Sequence, residues 1–85
     1  VPTKVRFYSS QPDVTLVELE ALDAPGLLAK VGNLLVEMEF SLRMAKIATI
    51  GERAEDLFII SNSDEKALTQ NQEIELKKRL SETLD

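Results

Sequence analysis

Six residues with the sequence DAPGLL, at positions 23–28, have the clearest potential to bind a ligand. Gly26 has no Cβ, so a ligand or a neighbouring segment can approach the backbone there closely. If a helix begins at this point, its first amides have no intrahelical partner, and with the helix dipole they favour an anion. The turn therefore predicts a site for the carboxylate of a small molecule. Close packing of a strand against a helix explains the glycine equally well on physics alone.

Catalytic chemistry has little support in this sequence. The chain has no histidine and no cysteine, which removes the commonest general base, the commonest metal ligand and any thiolate. Two pairs of carboxylates lie close in sequence, Glu18 with Glu20 and Glu55 with Asp56. Neither pair has a partner base or metal-ligand spacing, so solvated surface charge is the simpler interpretation. We expect no catalytic residue, no metal ligand and no cofactor in this chain.

Composition excludes further classes of function. Ten basic and fifteen acidic residues give a net charge of −5, which repels phosphate backbones. The apolar runs are much shorter than a membrane span. We therefore expect a cytoplasmic protein that binds neither nucleic acid nor membrane.

The apolar periodicity predicts six elements in a single domain covering residues 1–85. Alternating polarity indicates strands, and apolar residues at helical spacing from Leu27 to Met38 indicate the first helix. Asp23 is the expected N-cap of that helix, with Pro25 in its first turn. Thr69 and Gln72 have the spacing of a capping box before the second helix. The predicted strands are 4–8, 14–22, 42–50 and 55–61, and the predicted helices are 25–39 and 71–83.

The element order ββαββα indicates an α+β, ferredoxin-like fold. Moving the last strand of a βαββαβ unit to its front gives this order. We expect a four-stranded antiparallel sheet with both helices on one face. The strand at 55–61 is apolar on both faces, because Leu57 and Ile59 alternate with Phe58 and Ile60. One helical layer cannot cover both faces, so a partner subunit or neighbouring domain is expected on the other.

Two stretches of the sequence resemble a known family. The DAPGLL turn, between a strand and a helix, resembles the signature of ACT domains, which are amino-acid-sensing ferredoxin-like modules. The stretch AKIATIGERAEDLF at 45–58 resembles the second and third strands of the C-terminal ACT domain of bacterial bifunctional uridylyltransferase/uridylyl-removing enzymes. The likeness covers nearly the whole chain, from Lys4 to Leu84.

The resemblance implies a regulatory role within a larger bacterial enzyme. Such enzymes attach UMP to the nitrogen-signalling PII protein and remove it, using upstream catalytic domains that would supply any magnesium requirement. Their paired C-terminal ACT domains sense glutamine. The residues implied to meet the amino acid are Asp23, Ala24, Pro25, Gly26, Leu27 and Leu28. Where the family pattern has a histidine, this chain has Arg43, a residue that can also bind a carboxylate.

Two other interpretations compete with amino acid sensing. The chain can be a structural module that pairs with another ACT domain and binds no ligand of its own. It can also be the ACT domain of an amino-acid biosynthetic enzyme, although the stretch at 45–58 argues against that origin.

Overall fold

The fold has the predicted order of strands and helices. A computed structural model describes residues 2–85. The elements are β1 (Lys4–Tyr8), β2 (Thr15–Leu22), α1 (Leu27–Glu37), β3 (Ser41–Ile50), β4 (Arg53–Ser61) and α2 (Gln70–Leu84). The strands form one antiparallel sheet in the order β1-β2-β4-β3. The predicted α+β, ferredoxin-like class is confirmed. Within residues 2–85, no helix is long and apolar enough to cross a bilayer.

Both helices pack on the same face of the sheet. Val17 and Leu19 of β2 alternate with half-buried residues, and Val17 lies opposite Phe58 of β4. These side chains share one buried cluster with leucines from both helices. Fully burying one such side chain stabilises the fold by about 1.5–3 kcal/mol, so this cluster positions the helices on the sheet. The helix residues of the cluster are Val31, Leu34, Leu35, Leu76 and Leu80.

The start of α1 differs from the prediction. The helix begins at Leu27, two residues after the predicted start at Pro25, and no side chain caps it. Asp23 is therefore not the N-cap; that position belongs to Gly26, whose φ of 80° is left-handed. Since a left-handed residue cannot be part of an α-helix, the helix can begin only after it.

The end of α1 also comes earlier than predicted. The last helical residue is Glu37, not Glu39, and Glu39 has a left-handed φ of 60°. The amide of Phe40 donates to the carbonyl of Leu35 at 2.9 Å, the six-residue bond of a Schellman ending. Glu39 thus occupies the position where glycine is usual, which is why the sequence carried no clear stop signal.

The hairpin between β3 and β4 is tighter than predicted. Only Gly51 and Glu52 separate the strands, whereas four loop residues were expected. Gly51 has a φ of 63°, and glycine at the first central position is typical of a type II′ turn. The two-residue turn extends β4 back to Arg53.

Strand β3 is an edge strand with a bulge. The register shifts between Leu42, opposite Ile60, and Met44, opposite Ile59. Because Ile60 faces the helices and Ile59 does not, the bulge sends Leu42 and Met44 to opposite faces. In a strand without a bulge, strict alternation would place these two residues on one face. Met44 is 61% exposed, so the outer face of the sheet keeps an uncovered apolar area at this edge.

Candidate functional site

The turn between β2 and α1 is held by backbone hydrogen bonds. The amide of Asp23 donates to the carbonyl of Glu52 at 2.8 Å, which ties the end of β2 to the β3–β4 hairpin. The amide of Lys30 donates to the carbonyl of Gly26 at 3.0 Å, closing the first helical turn. Within residues 2–85, no group accepts a hydrogen bond from the amides of Leu28 and Ala29. These two amides are the donors that a bound anion can use.

A depression of about 210 Å³ lies at this helix start. We call it the α1 notch; its lining residues are Asp23, Ala24, Gly26, Leu27, Leu28, Ala29, Ile47, Ala54 and Asp56. Five of the six predicted turn residues line it, and Pro25 does not. The volume is below the roughly 300–1,000 Å³ of sites for drug-sized ligands, so the notch suits a small molecule.

Gly26 is required by the backbone and not by packing. A Cβ built on Gly26 would have no heavy atom within 4 Å, so close contact of strand and helix does not explain the glycine. Its φ of +80° does, because residues with a Cβ rarely adopt that conformation. The open space above Gly26 leaves the backbone accessible at the mouth of the α1 notch.

Asp56 is a buried acid at the base of the notch. It is 1% exposed, and within residues 2–85 neither carboxylate oxygen has a hydrogen-bond partner. Along β4 it alternates in phase with buried Ala54 and Phe58, so its side chain lies on the helix side of the sheet. The sequence had suggested solvated surface charge for Asp56, and the structure shows that this interpretation was wrong. An unpaired buried carboxylate is costly and therefore needs an explanation.

The surroundings of Asp56 raise its pKa above the ordinary value of 3.8. Burial is the main cause, and the lining that Asp56 shares includes the buried, apolar Leu27 and Ala54. The amide of Ala48 lowers the pKa of Asp56, although it does not complete a well-formed hydrogen bond with the carboxylate. The charge of Asp23 raises the pKa further. Of the residues lining the notch, two are acidic and none is basic. A cationic group would relieve this imbalance.

Arg43 lies at the other end of β3. It occupies the bulge, and its Nε donates to Ser61 Oγ at 2.8 Å. It does not line the α1 notch, which β3 meets at Ile47. Ile47 is four positions further along the strand than Arg43, a distance of roughly 13 Å. A single copy of the chain therefore brings together residues of the 23–28 turn but leaves Arg43 apart from them.

Four notch residues were missed from the sequence: Ala29 and Ala54, and the cross-strand pair Ile47 and Asp56. Register decides the cross-strand pair, because Ile47 lies directly opposite Asp56 on the neighbouring strand. The one available signal was the in-phase position of Asp56 with apolar Ala54 and Phe58, which marks a buried face.

The α1 notch and the ββαββα fold agree with a comparison against protein families. The ACT domain model matches residues 15–74, a stretch that includes the notch and most of the sheet. The chain belongs to the ACT domain family of regulatory domains.

The chain is also similar to several bifunctional enzymes. It is 51% identical over 86 residues to the bifunctional uridylyltransferase/uridylyl-removing enzyme of Pasteurella multocida, covering 100% of the chain and 10% of the relative. The enzymes of the same name from Vibrio atlanticus and Pseudomonas fluorescens are 49% and 45% identical, over 96% and 88% of the chain and 10% and 8% of the relatives. The chain thus spans about 10% of the length of these relatives. No solved structure matches it.

Proposed function

We propose that this chain is a glutamine-sensing ACT module of a uridylyltransferase/uridylyl-removing enzyme. The observation that carries the proposal is the α1 notch, whose lining includes Leu28 and Ala29, with free amides, and Asp56, with an unpaired carboxyl. Donors for a carboxylate and an acceptor for an ammonium group together suit an α-amino acid. The similarity to the enzymes described above supports glutamine as that amino acid.

The proposed role in the parent enzyme follows from the same similarity. Glutamine bound at the notch would suppress the transfer of UMP to the PII protein and favour its removal, in the bacterial cytoplasm. The catalytic steps, with any magnesium that they require, would belong to other domains of the parent. In the complete enzyme, substitutions that close the notch should abolish the response of both activities to glutamine while leaving the activities measured without glutamine intact.

Calorimetric titration of the 85-residue chain tests the binding step. Glutamine should bind, and glutamate and ammonium should not. Ala29→Leu should abolish binding, because Ala29 lines the notch and a larger side chain would fill its mouth. Asn33→Leu is the matched control, since Asn33 is also exposed on α1, one turn further along and away from the notch.

Equal binding by Ala29→Leu and the wild type would place the ligand elsewhere. If no amino acid binds to the wild-type chain, the sensing proposal is wrong for this domain. Folding of both variants can be checked from their amide NMR spectra, so loss of binding is not confused with loss of structure.

A second proposal concerns the outer face of the sheet, which we assign to pairing with another ACT domain or a second copy of this chain. Met44 and Ile50, 61% and 55% exposed, lie on this face. A depression of about 390 Å³ on the sheet is lined by charges of both signs, including Arg6, Lys46 and Glu18. A face with both signs can match a second copy of itself across a twofold axis.

Sedimentation equilibrium tests the pairing. Met44→Lys should shift the chain towards the monomer, because it places a charge in the apolar part of the outer face. Val36→Lys is the control, since Val36 is 76% exposed but lies on α1, away from that face. A wild-type chain that stays monomeric at millimolar concentration would contradict pairing between copies of this chain.

A further inference from the structure

We infer that Asp56 is the receptor for the α-ammonium group of the amino acid that binds in the α1 notch. The inference rests on the proposed function and assigns a specific role to a residue beneath the turn. It explains why a carboxyl group with no partner lies buried on β4, where an apolar residue would destabilise the folded state less.

The position of Asp56 is the first argument. Its side chain lies on the helix side of the sheet, and the residue forms part of the notch floor together with Ala54. Opposite it on β3 is Ile47, which is 45% exposed, and across the notch mouth is Leu28, which is 48% exposed. Both side chains belong to the lining of the notch that Asp56 shares. Because each is half exposed, either can change rotamer to admit a ligand to the notch without disturbing the core.

The charges of the notch are the second argument. Asp23 and Asp56 bring two acids and no base to the notch lining. A ligand with only a carboxylate would bind the helix amides but meet both acids. A ligand with only an ammonium group would leave the amides of Leu28 and Ala29 unused. A zwitterion satisfies both sets, with its carboxylate at the helix start and its ammonium group at Asp56.

Binding of paired ligands to the 85-residue chain tests the role of Asp56. Glutamine is compared with glutaramate, the same molecule without its α-amino group. The wild type should prefer glutamine by about 10- to 100-fold, the range expected for a hydrogen bond between charged groups. Asp56→Asn should lose most of that preference, because glutamine is weakened while glutaramate, now facing one acid fewer, binds at least as tightly as before. Glu55→Gln is the matched control, because it removes the same charge from the adjacent residue on the opposite face of the sheet, and it should keep the full preference.

A second measurement needs no substitution. The ¹³Cγ resonance of Asp56 reports its titration, and bound glutamine should lower the pKa of Asp56 because an ammonium group stabilises the carboxylate. Unchanged preference in Asp56→Asn, or an equal loss for both ligands, would overturn the inference while leaving glutamine sensing intact. If another amino acid binds in place of glutamine, the same comparison with its deaminated form applies. Failure of every amino acid to bind the wild type would remove the proposed function and this inference with it.

Discussion

Asp23 and Asp56 place two carboxyl groups at one notch, and the charge of Asp23 adds to the burial that raises the pKa of Asp56. Asp23 is exposed at the end of β2, whereas Asp56 is 1% exposed on β4. The charges of the two acids therefore destabilise the folded state to different extents. Solvent screens the charge of Asp23, while the charge of Asp56 has no partner among residues 2–85.

Asp56→Asn should stabilise the chain at pH 7. The folded state binds a proton at Asp56 more tightly than the unfolded state, because the folded pKa is raised above 3.8. The resulting stability is fully present below pH 3.8 and is lost as the pH rises through the raised value. Removing the ionisable group should raise the urea midpoint at pH 7 and have a smaller effect at pH 3. Urea unfolding at both values measures the difference.

The neighbouring acid provides the control for this pH effect. Glu55→Gln removes one charge from an exposed ion pair with Arg53 at 3.0 Å, so it should change the free energy of unfolding by less than about 1 kcal/mol. A destabilised Asp56→Asn at pH 7 would show that the carboxylate has a favourable partner in the folded chain.

Gly26→Ala should destabilise the chain by about 1–2 kcal/mol, the cost of a left-handed φ for a residue with a Cβ. Gly26→Asn should cost less, because asparagine adopts this conformation more readily. The comparison separates backbone strain from crowding, since the added Cβ contacts nothing. Thermal unfolding of the two variants shows which is the more stable. Equal decreases in stability would argue against backbone strain as the cause.

The fold could be predicted from the sequence because its signals are local. Alternation along β2 and helical spacing along α1 each define one buried face, and the capping box at Thr69 and Gln72 is present as predicted. The helix start was wrong because proline and aspartate indicated an N-cap that the left-handed Gly26 prevents. The helix end was wrong because Glu39 takes a conformation for which its side chain gives no signal.

The candidate site could be predicted only in part. Residues of the 23–28 turn are contiguous, so one motif located them together. Asp56 joins them through strand pairing, and its pairing with Ile47 depends on the two-residue turn at Gly51, whose length was overestimated. Arg43 lies apart from the turn in a single copy for a related reason, because the bulge and the direction of β3 fix its distance from it. Non-local pairing, not residue chemistry, limited the prediction.

Thr15→Val should destabilise the chain by about 1–3 kcal/mol. Thr15 is fully buried, and its Oγ1 accepts a hydrogen bond from the amide of Leu68 at 2.9 Å. Valine has nearly the same shape but leaves that buried amide unpaired. Ser9→Ala is the control, because Ser9 also bonds the Thr15 hydroxyl at 2.9 Å but is exposed to water. Chemical denaturation should show only a small decrease in the free energy of unfolding for Ser9→Ala. A decrease equal to that of Thr15→Val would mean that the Ser9 hydrogen bond accounts for the effect.

Arg43→Ala should change the affinity of the 85-residue chain for glutamine by less than twofold, although the family resemblance had included Arg43 in the site. Its side chain bonds Ser61 at the far end of β3, roughly 13 Å from Ile47 at the notch. Ala29→Leu, which fills the notch, provides the contrasting loss in the same calorimetric titration. A loss of tenfold or more in Arg43→Ala would mean that the guanidinium reaches the ligand from a second copy. In that case the loss should disappear in the Met44→Lys background, where pairing through the outer face is weakened.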